Sequence, residues 1–292
     1  MEPSTNLNIL FILNPASGGK KKINWEPIIR DYFKPLAHTI EFFILSGKED
    51  ALSIQYWIKK LSPQRVVAVG GDGTISLVAQ QLSGSSIPMG ILRGGSANGM
   101  ATELKIPEDP VAAIEAILNG KVQKCDLIKI DESDTCIHLS DLGLNARLIK
   151  YFDKNALRGM WGYARMLIKI LWQGKLMRAH ILADNLDINI SAYMIVIANA
   201  SKYGSGAVIN PEGSIEDGKF ELVIVRKISL IEFVKLFLNN KPFNPKKVEI
   251  FQTAKAVITT KRRIHFQVDG EYKGKINKVT AEIIPSALNL MV

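Results

Sequence analysis

The sequence predicts two domains of different class: an α/β domain with a parallel sheet over residues 1–125, and a β-rich, antiparallel, sandwich-like domain over residues 126–292. Three observations predict this. Strand and helix periodicities alternate through the first half, the pattern of a parallel sheet. Glycine-rich loops follow three of those strands, at the carboxyl ends where open α/β sheets hold ligands. From about Asp126 the alternation gives way to short β-branched runs with only two helical patterns among them.

The elements follow in order. Leu7 to Leu13 reads as a buried strand, followed by "NPASGGKKK" and a helix from about Trp25 to Phe33. Ile40 to Leu45 is a second strand and Ala51 to Leu61 a helix. Arg65 to Val69 is short and β-branched, as a buried parallel strand is. It runs into "GGDGT", and from Thr74 onward Ile75, Val78, Ala79 and Leu82 fall at helical spacing. Ile87 to Leu92 is a fourth strand, leading through "RGGSANG" into a further helix. "DPVAAIEAILNG" is an amphipathic helix with Gly120 as its stop signal. In the second half "DLIKI", "TCIHLSDLG", "AHILADNLDINI", "AYMIVIANA", "KFELVIVRK", "KAVITT", "RIHFQVDG" and "KVTAEII" read as strands. "NALRGMWGYARMLIKILWQ" and "SLIEFVKLFLN" read as helices, and the C-terminal residues can pack back on the first domain.

Composition narrows the class. A chain of 292 residues, 47% hydrophobic and 22% charged, is that of a soluble globular protein. No apolar run approaches the roughly 18 residues of a membrane span, and "MEPSTNLNIL" lacks the basic region of a signal peptide. Cys125 and Cys136 have no metal-ligand spacing, so reduced, structural thiols and a cytoplasmic location are expected. His38, His138, His180 and His265 are scattered and read as structural. The net charge of +9 is uneven: residues 1–125 hold 13 Lys and Arg against 11 Asp and Glu, and the remainder 24 against 17. Such a basic half suits nucleic acid, an anionic membrane surface or solubility alone, and charge by itself does not choose among them. No basic stripe interleaved with aromatics points to nucleic acid.

The loops carry the chemistry. In "VVAVGGDGT" the glycines permit positive φ and close approach of a ligand, and the N–H groups of the coming helix favour an anion. Asp72, between those glycines, needs a metal or a proton beside such an anion. "NPASGGKKK" is neither a Walker A loop nor a Rossmann fingerprint. Ser17, Gly18 and Gly19 can still form a backbone anion site, with Lys20 to Lys22 adding charge. "RGGSANGMATEL" repeats the design, offering Ser96 and Asn98, and two such turns can enclose a triphosphate. Far downstream, "QVDGEYKG" places Asp269, Gly270 and Glu271 at the end of a strand.

In this order "NPASGG", "GGDGT", "GGSANGMA", "YGSG" with the later "DGKFEL", and "VDGE" resemble the diacylglycerol kinase catalytic-domain superfamily. That superfamily includes bacterial soluble lipid kinases, sphingosine kinases and ceramide kinases. The resemblance implies a nucleotide-binding α/β domain of NAD-kinase-like fold, a β-rich lipid-binding domain, and ATP in the cleft between them. By position, Asn14, Pro15, Ala16, Ser17 and Gly18, then Gly71, Asp72, Gly73, Thr74, Ile75, Ser76 and Leu77, and finally Ser96, would surround ATP. Glu271 matches the proton acceptor of bacterial members and Asp72 the base favoured in sphingosine kinases, which leaves both open as the proton acceptor. Asp217, with backbone carbonyls of Ser214 and Lys219, matches a structural Mg²⁺ site. The chain departs from the family at Ser76-Leu77, where Asn-Glu is common, at Gly95-Ser96, where Gly-Thr is common, and near Leu45-Ser46, where a Thr is usual.

The activity implied is transfer of the ATP γ-phosphate to a hydroxyl of diacylglycerol or a related lipid, by a cytoplasmic protein peripheral to the inner face of an anionic membrane. NAD kinases share GGDGT, but "GGSANGMATEL" lacks their Gly-x-Asn-x-Gly-x-Leu-Gly-Phe. A lapsed lipid- or nucleotide-binding module is the other reading, opposed by retention of both Asp72 and Glu271.

Overall fold

The computed structural model describes residues 6–18, 23–95, 98–154, 176–201, 208–211, 213–227 and 247–292. The helical patterns predicted at 155–173 and 229–239 lie outside these residues. The chain divides into two compact units, Met1–Cys125 with Ser286–Val292, and Asp126–Pro285.

The first unit contains β1 (Asn8–Leu13), α1 (Trp25–Phe33), β2 (Thr39–Ile44), α2 (Asp50–Leu61), β3 (Arg65–Gly70), α3 (Asp72–Leu82), β4 (Met89–Arg93), α4 (Gly99–Glu103) and α5 (Pro110–Asn119). Its strands pair in parallel in the order β2-β1-β3-β4, and Leu290 pairs in parallel with Met89 beyond β4. Ile9 to Ile12 and Val66 to Ala68 are fully buried, the continuous apolar run of strands covered on both faces. At the edge, β2 alternates between half-buried and exposed residues instead. Helix α3 begins at Asp72, two residues before the periodicity predicts, so the Asp of GGDGT belongs to its first turn.

Helix α5 starts as its sequence dictates: the Asp109 carboxylate accepts from Ala112 N at 2.9 Å and Pro110 occupies the first turn. Its end differs from the expected left-handed stop, because Gly120 has φ −67°. A Cβ at Gly120 would collide with the carbonyl oxygens of Ala116 and Val292. Lys121 N donates to Val292 O at 2.8 Å and Val292 N to Lys121 O at 3.0 Å. Glycine is required there by the packed C-terminus, not by its dihedral.

In the second half lie β5 (Val122–Ile130), β6 (Asp134–Cys136), β7 (Leu139–Gly143), α6 (Leu144–Lys154), β8 (Met177–Ala183), β9 (Leu186–Ala192), β10 (Met194–Ala198), β11 (Phe220–Val225), β12 (Val248–Thr253), β13 (Lys255–Val268) and β14 (Glu271–Met291). The ladder β12-β11-β10-β7-β13-β14 is antiparallel throughout. "KAVITT" and "RIHFQVDG" prove to be one strand, β13, with a register shift between Thr259 and Ile264. Before the shift it pairs with β8 through Ala256–Thr260; after it, with β7 through Phe266–Val268. One strand thereby serves two neighbours, and Leu142, Ile181, Ile197, Phe220, Leu222 and Ile258 join in one core. This is the β-rich, sandwich-like class the sequence predicts.

Candidate functional site

Three loops leave the carboxyl ends of β1, β3 and β4 in the first unit and meet. Asn14 N donates to Val69 O at 3.0 Å, which continues the β1–β3 ladder into the first loop. The Asn14 side chain then works in two directions, accepting from Ala16 N at 2.9 Å and donating to Thr74 Oγ1 at 3.0 Å. Ser17 closes the turn by donating its hydroxyl to Asn14 O at 2.8 Å. Thr74 is 3% exposed, so this brace between first and second loops is largely dry.

The second and third loops touch backbone to backbone. Gly94 N donates to Gly70 O at 2.8 Å. A Cβ on Gly95 would lie 2.5 Å from Gly71 Cα, and one on Gly94 would lie 2.9 Å from Gly70 Cα. Gly71 has φ −91°, within reach of any residue, so these glycines are required by proximity rather than by dihedral freedom. Asn98 ties off the third loop, its amide oxygen accepting from Gly95 N and its amide nitrogen donating to Gly95 O, each at 2.8 Å.

At the centre sits the start of α3, which no side chain caps. Thr74 N and Ile75 N turn back onto Gly71 O at 2.9 and 3.1 Å, leaving the N–H groups of Asp72 and Gly73 as the donors of the first turn. Asp72 Oδ1 accepts from Met100 N at 3.1 Å, capping α4 from across the loops; among the described residues its second oxygen carries no bond. Ile75 and Ser76 are buried, Leu77 is half-buried, and Pro15, Ala16 and Gly18 are exposed. Ser96, Gly19 and Lys20 to Lys22 lie outside the described residues.

Arg93 and Trp25 were not legible as part of this site. The Arg93 guanidinium donates to Ile106 O at 2.6 Å, Ala101 O at 3.0 Å and Thr102 Oγ1 at 3.2 Å, fixing the segment that follows the third loop. Trp25 Nε1 donates to Arg93 O at 2.8 Å. A charged residue ending an otherwise apolar strand was the available signal. Beside this brace opens a concavity of about 140 Å³ lined by Asn14, Ser17, Trp25, Val69 and Gly94 among others.

In the second unit Glu271 opens β14, opposite Val268 across the two-residue turn Asp269-Gly270. Both turn residues have positive φ, 46° and 87°, the requirement of the tight hairpin turn that suits strand twist. The two acids of "VDGE" divide sharply. Asp269 is 6% exposed and its carboxylate accepts from Ile137 N (3.0 Å), His138 N (2.9 Å), Leu139 N (3.2 Å) and Cys136 Sγ (3.2 Å). Burial, first, and the neighbouring Asp269 charge push the Cys136 thiol well above its ordinary pKa. The Glu271 side chain is 60% exposed, 3.3 Å from Lys273 Nζ, which also meets Asp134 at 2.8 Å. Lys273 is held above the usual lysine range by those carboxylates, against burial, which acts the other way and is the largest single influence.

A buried polar chain sits behind this turn. Gln267 accepts from Gly270 N at 2.7 Å and donates to Asp141 Oδ2 at 2.6 Å. Asp141 in turn accepts from Asn145 Nδ2 at 2.6 Å and Ala146 N at 2.8 Å, capping α6. Polar residues at core-facing strand positions were the sequence signal for it.

At the expected cation position, Asp217 Oδ1 accepts from Lys219 N at 3.1 Å and Oδ2 from Gln252 Nε2 at 2.9 Å. Ser214 accepts from Glu216 N at 3.4 Å. Each Asp217 oxygen thus holds one N–H donor and keeps a further lone pair, and among the described residues no three His, Cys, Asp or Glu converge as a metal site. The structure thus gathers Asn14, Ser17, Gly71, Asp72, Gly73 and Thr74 in the first unit. Glu271, Ser214, Asp217 and Lys219 are placed in the second, each within its own surroundings.

Comparison with known proteins adds the family. Residues 8–130 match the diacylglycerol kinase catalytic domain, and residues 140–292 the YegS C-terminal NAD kinase beta sandwich-like domain. The "Probable lipid kinase YegS-like" protein of Klebsiella pneumoniae is 28% identical over 246 residues, covering 82% of each chain. The "Probable lipid kinase YegS" of Escherichia coli O127:H6 is 28% identical over 256 residues, covering 86% of this chain and 85% of that one. The crystal structure of a diacylglycerol kinase from Bacillus anthracis superposes with a TM-score of 0.70 at 16% identity, over 97% of this chain and 96% of that one. That likeness shows the fold.

Proposed function

The chain belongs to the family that joins a diacylglycerol kinase catalytic domain to a YegS C-terminal NAD kinase beta sandwich-like domain, and on that premise we propose that it transfers the γ-phosphate of ATP to a hydroxyl of diacylglycerol or a related lipid. The observation that carries the reading is the meeting of three loops around the uncapped start of α3, braced by the Asn14–Thr74 bond of 3.0 Å.

Phosphoryl transfer asks the protein for positioning and neutralisation of charge. The N–H groups of Asp72 and Gly73, at the positive end of α3, receive the nucleotide phosphates. Asn14, Ser17 and the paired glycines hold the loops at the spacing those phosphates need. Ile75 and Ser76 contribute backbone and packing, since their side chains are buried. Mg²⁺ carried by the nucleotide would screen the phosphate charge.

Glu271 takes the proton of the acceptor hydroxyl, because it is exposed and its neighbouring acid is consumed by the fold. Asp72 is the nucleotide-side acid, since one of its oxygens is committed to Met100 N. The acceptor reaches the protein at an anionic membrane surface, where the basic second half gives reversible binding from the cytoplasmic side. Among the described residues no helix is long and apolar enough to cross a membrane.

The test is transfer of labelled γ-phosphate to a panel of extracted lipids, with NAD as a separate acceptor and product identification. A phosphorylated lipid supports the reading. NADP formation in its place would assign an NAD kinase, and no product from any acceptor would leave a binding module.

A further inference from the structure

Lys273 holds two carboxylates at once, its Nζ lying 2.8 Å from Asp134 Oδ1 and 3.3 Å from Glu271 Oε2. The backbone aims it there. Phe266 of β13 pairs with Gly274 and Gln267 with Tyr272, so Lys273 is the extra residue of a β-bulge, and Gly274 takes the left-handed φ of 100°. A bulge re-aims one side chain against the alternation of its strand. Lys273 and Asp134 are mostly covered, whereas Glu271 is mostly open.

Asp134 is itself tied to the turn that carries Glu271. It opens β6, and from the end of that strand the Cys136 thiol and the N–H groups of Ile137, His138 and Leu139 close on the Asp269 carboxylate. Asp269, β6, Asp134, Lys273 and Glu271 thus form a ring around one hairpin turn. A single exposed pair restrains little, but a lysine fixed at a second, covered carboxylate has already given up much of its freedom. Burial, the largest influence on Lys273, acts against its charge, yet the two carboxylates hold it above the usual lysine range and it stays protonated at pH 7.

The side chain this restrains is Glu271. An open glutamate samples several rotamers, while a general base must sit within hydrogen-bond reach of the proton it takes. Lys273 engages Oε2; among the described residues Oε1 has no partner and remains open to the proton. We propose that Lys273, anchored by Asp134, is the positioning residue of the Glu271 base, fixing the carboxylate in the rotamer that presents Oε1 to the acceptor hydroxyl. This rests on Glu271 as the proton acceptor of the function proposed above.

The experiment measures ATP-dependent phosphorylation of dioleoylglycerol in mixed micelles by the whole protein. Lys273→Met keeps the aliphatic stem and removes the charge; Lys273→Arg keeps both. In Lys273→Met kcat should fall at least about tenfold, toward the 10²-fold that a misplacement of about 1 Å costs. KM for ATP and the thermal midpoint should stay nearly unchanged, and Lys273→Arg should restore most of the rate. Asp134→Asn, which leaves the lysine present but unanchored, should lower kcat by a smaller factor. Neither Lys273→Met nor Asp134→Asn should cost anything further in a Glu271→Gln background, because both act through that carboxylate. Wild-type kcat in Lys273→Met, a loss that Lys273→Arg does not restore, or a further loss beyond Glu271→Gln overturns the proposal and leaves Glu271 as the base. Full activity in Glu271→Gln, or no transfer by the wild-type protein, overturns the base assignment and the proposal with it.

Discussion

Gly95 and Gly71 illustrate how a residue can be dictated by its neighbour rather than by its own backbone. With only 2.5 Å between a Gly95 Cβ and Gly71 Cα, both partners are backbone and neither can swing aside. Gly95→Ala should therefore cost about 1–3 kcal/mol of stability, as overpacking does, and weaken ATP binding by separating the loops. Thermal unfolding and ATP titration check this; wild-type values in both would refute the close contact. The two candidate acids separate at the same scale. Glu271→Gln should lower kcat by about 10²–10⁴-fold with ATP affinity nearly unchanged, the loss expected for a positioned base. Asp72→Asn keeps an acceptor for Met100 N, so the fold should hold while ATP affinity falls. Full lipid kinase activity in Glu271→Gln would move the base elsewhere.

At the scale of elements, the β13–β14 turn depends on partners far off in sequence. Gln267→Leu would remove the acceptor of Gly270 N and one of the donors to the buried Asp141, whose Oδ2 keeps Asn145 Nδ2, each lost hydrogen bond costing about 0.5–1.5 kcal/mol. Because that turn carries Glu271, kcat should fall together with stability while ATP affinity stays constant. An unchanged kcat in a folded variant would mean the chain of bonds is structural only. The Ile215–Lys219 turn makes the opposite case. Its Asp217 is satisfied by Lys219 N and Gln252, so Asp217→Ala should destabilise the protein by about 1–2 kcal/mol, equally in EDTA and in Mg²⁺. A wild-type melting temperature that rises with Mg²⁺ and ceases to do so in Asp217→Ala would place a cation there instead. Two elements escaped the sequence reading. β12, "VEIFQT", alternates buried and open positions as an edge strand and resembles a polar loop. α6 takes its cap from Asp141, in the strand before it, so its start signal lies inside a strand pattern.

For the whole molecule, the charge distribution leads to the broadest prediction. With 24 Lys and Arg against 17 Asp and Glu beyond residue 125, sedimentation with anionic vesicles should exceed that with neutral ones. The difference should shrink as salt rises, since screening acts over about 8 Å at physiological ionic strength and over less above it. Equal sedimentation under all conditions would remove the membrane from the proposed function. Fold class was legible because buried strands are continuous apolar runs, as in Arg65–Gly70 and Met194–Ala198, while an edge strand such as β12 is not. The sequence by itself determined the alternation of elements, the position of the glycine loops and the family, all of which rest on residues close together in the chain. Only the tertiary structure decided how each carboxylate is engaged. Asp269 is held by N–H groups about 131 residues away, Asp217 by Gln252 and Asp72 by Met100. A carboxylate's availability depends on donors that reach it through folding, and a motif prints the acid without its partners.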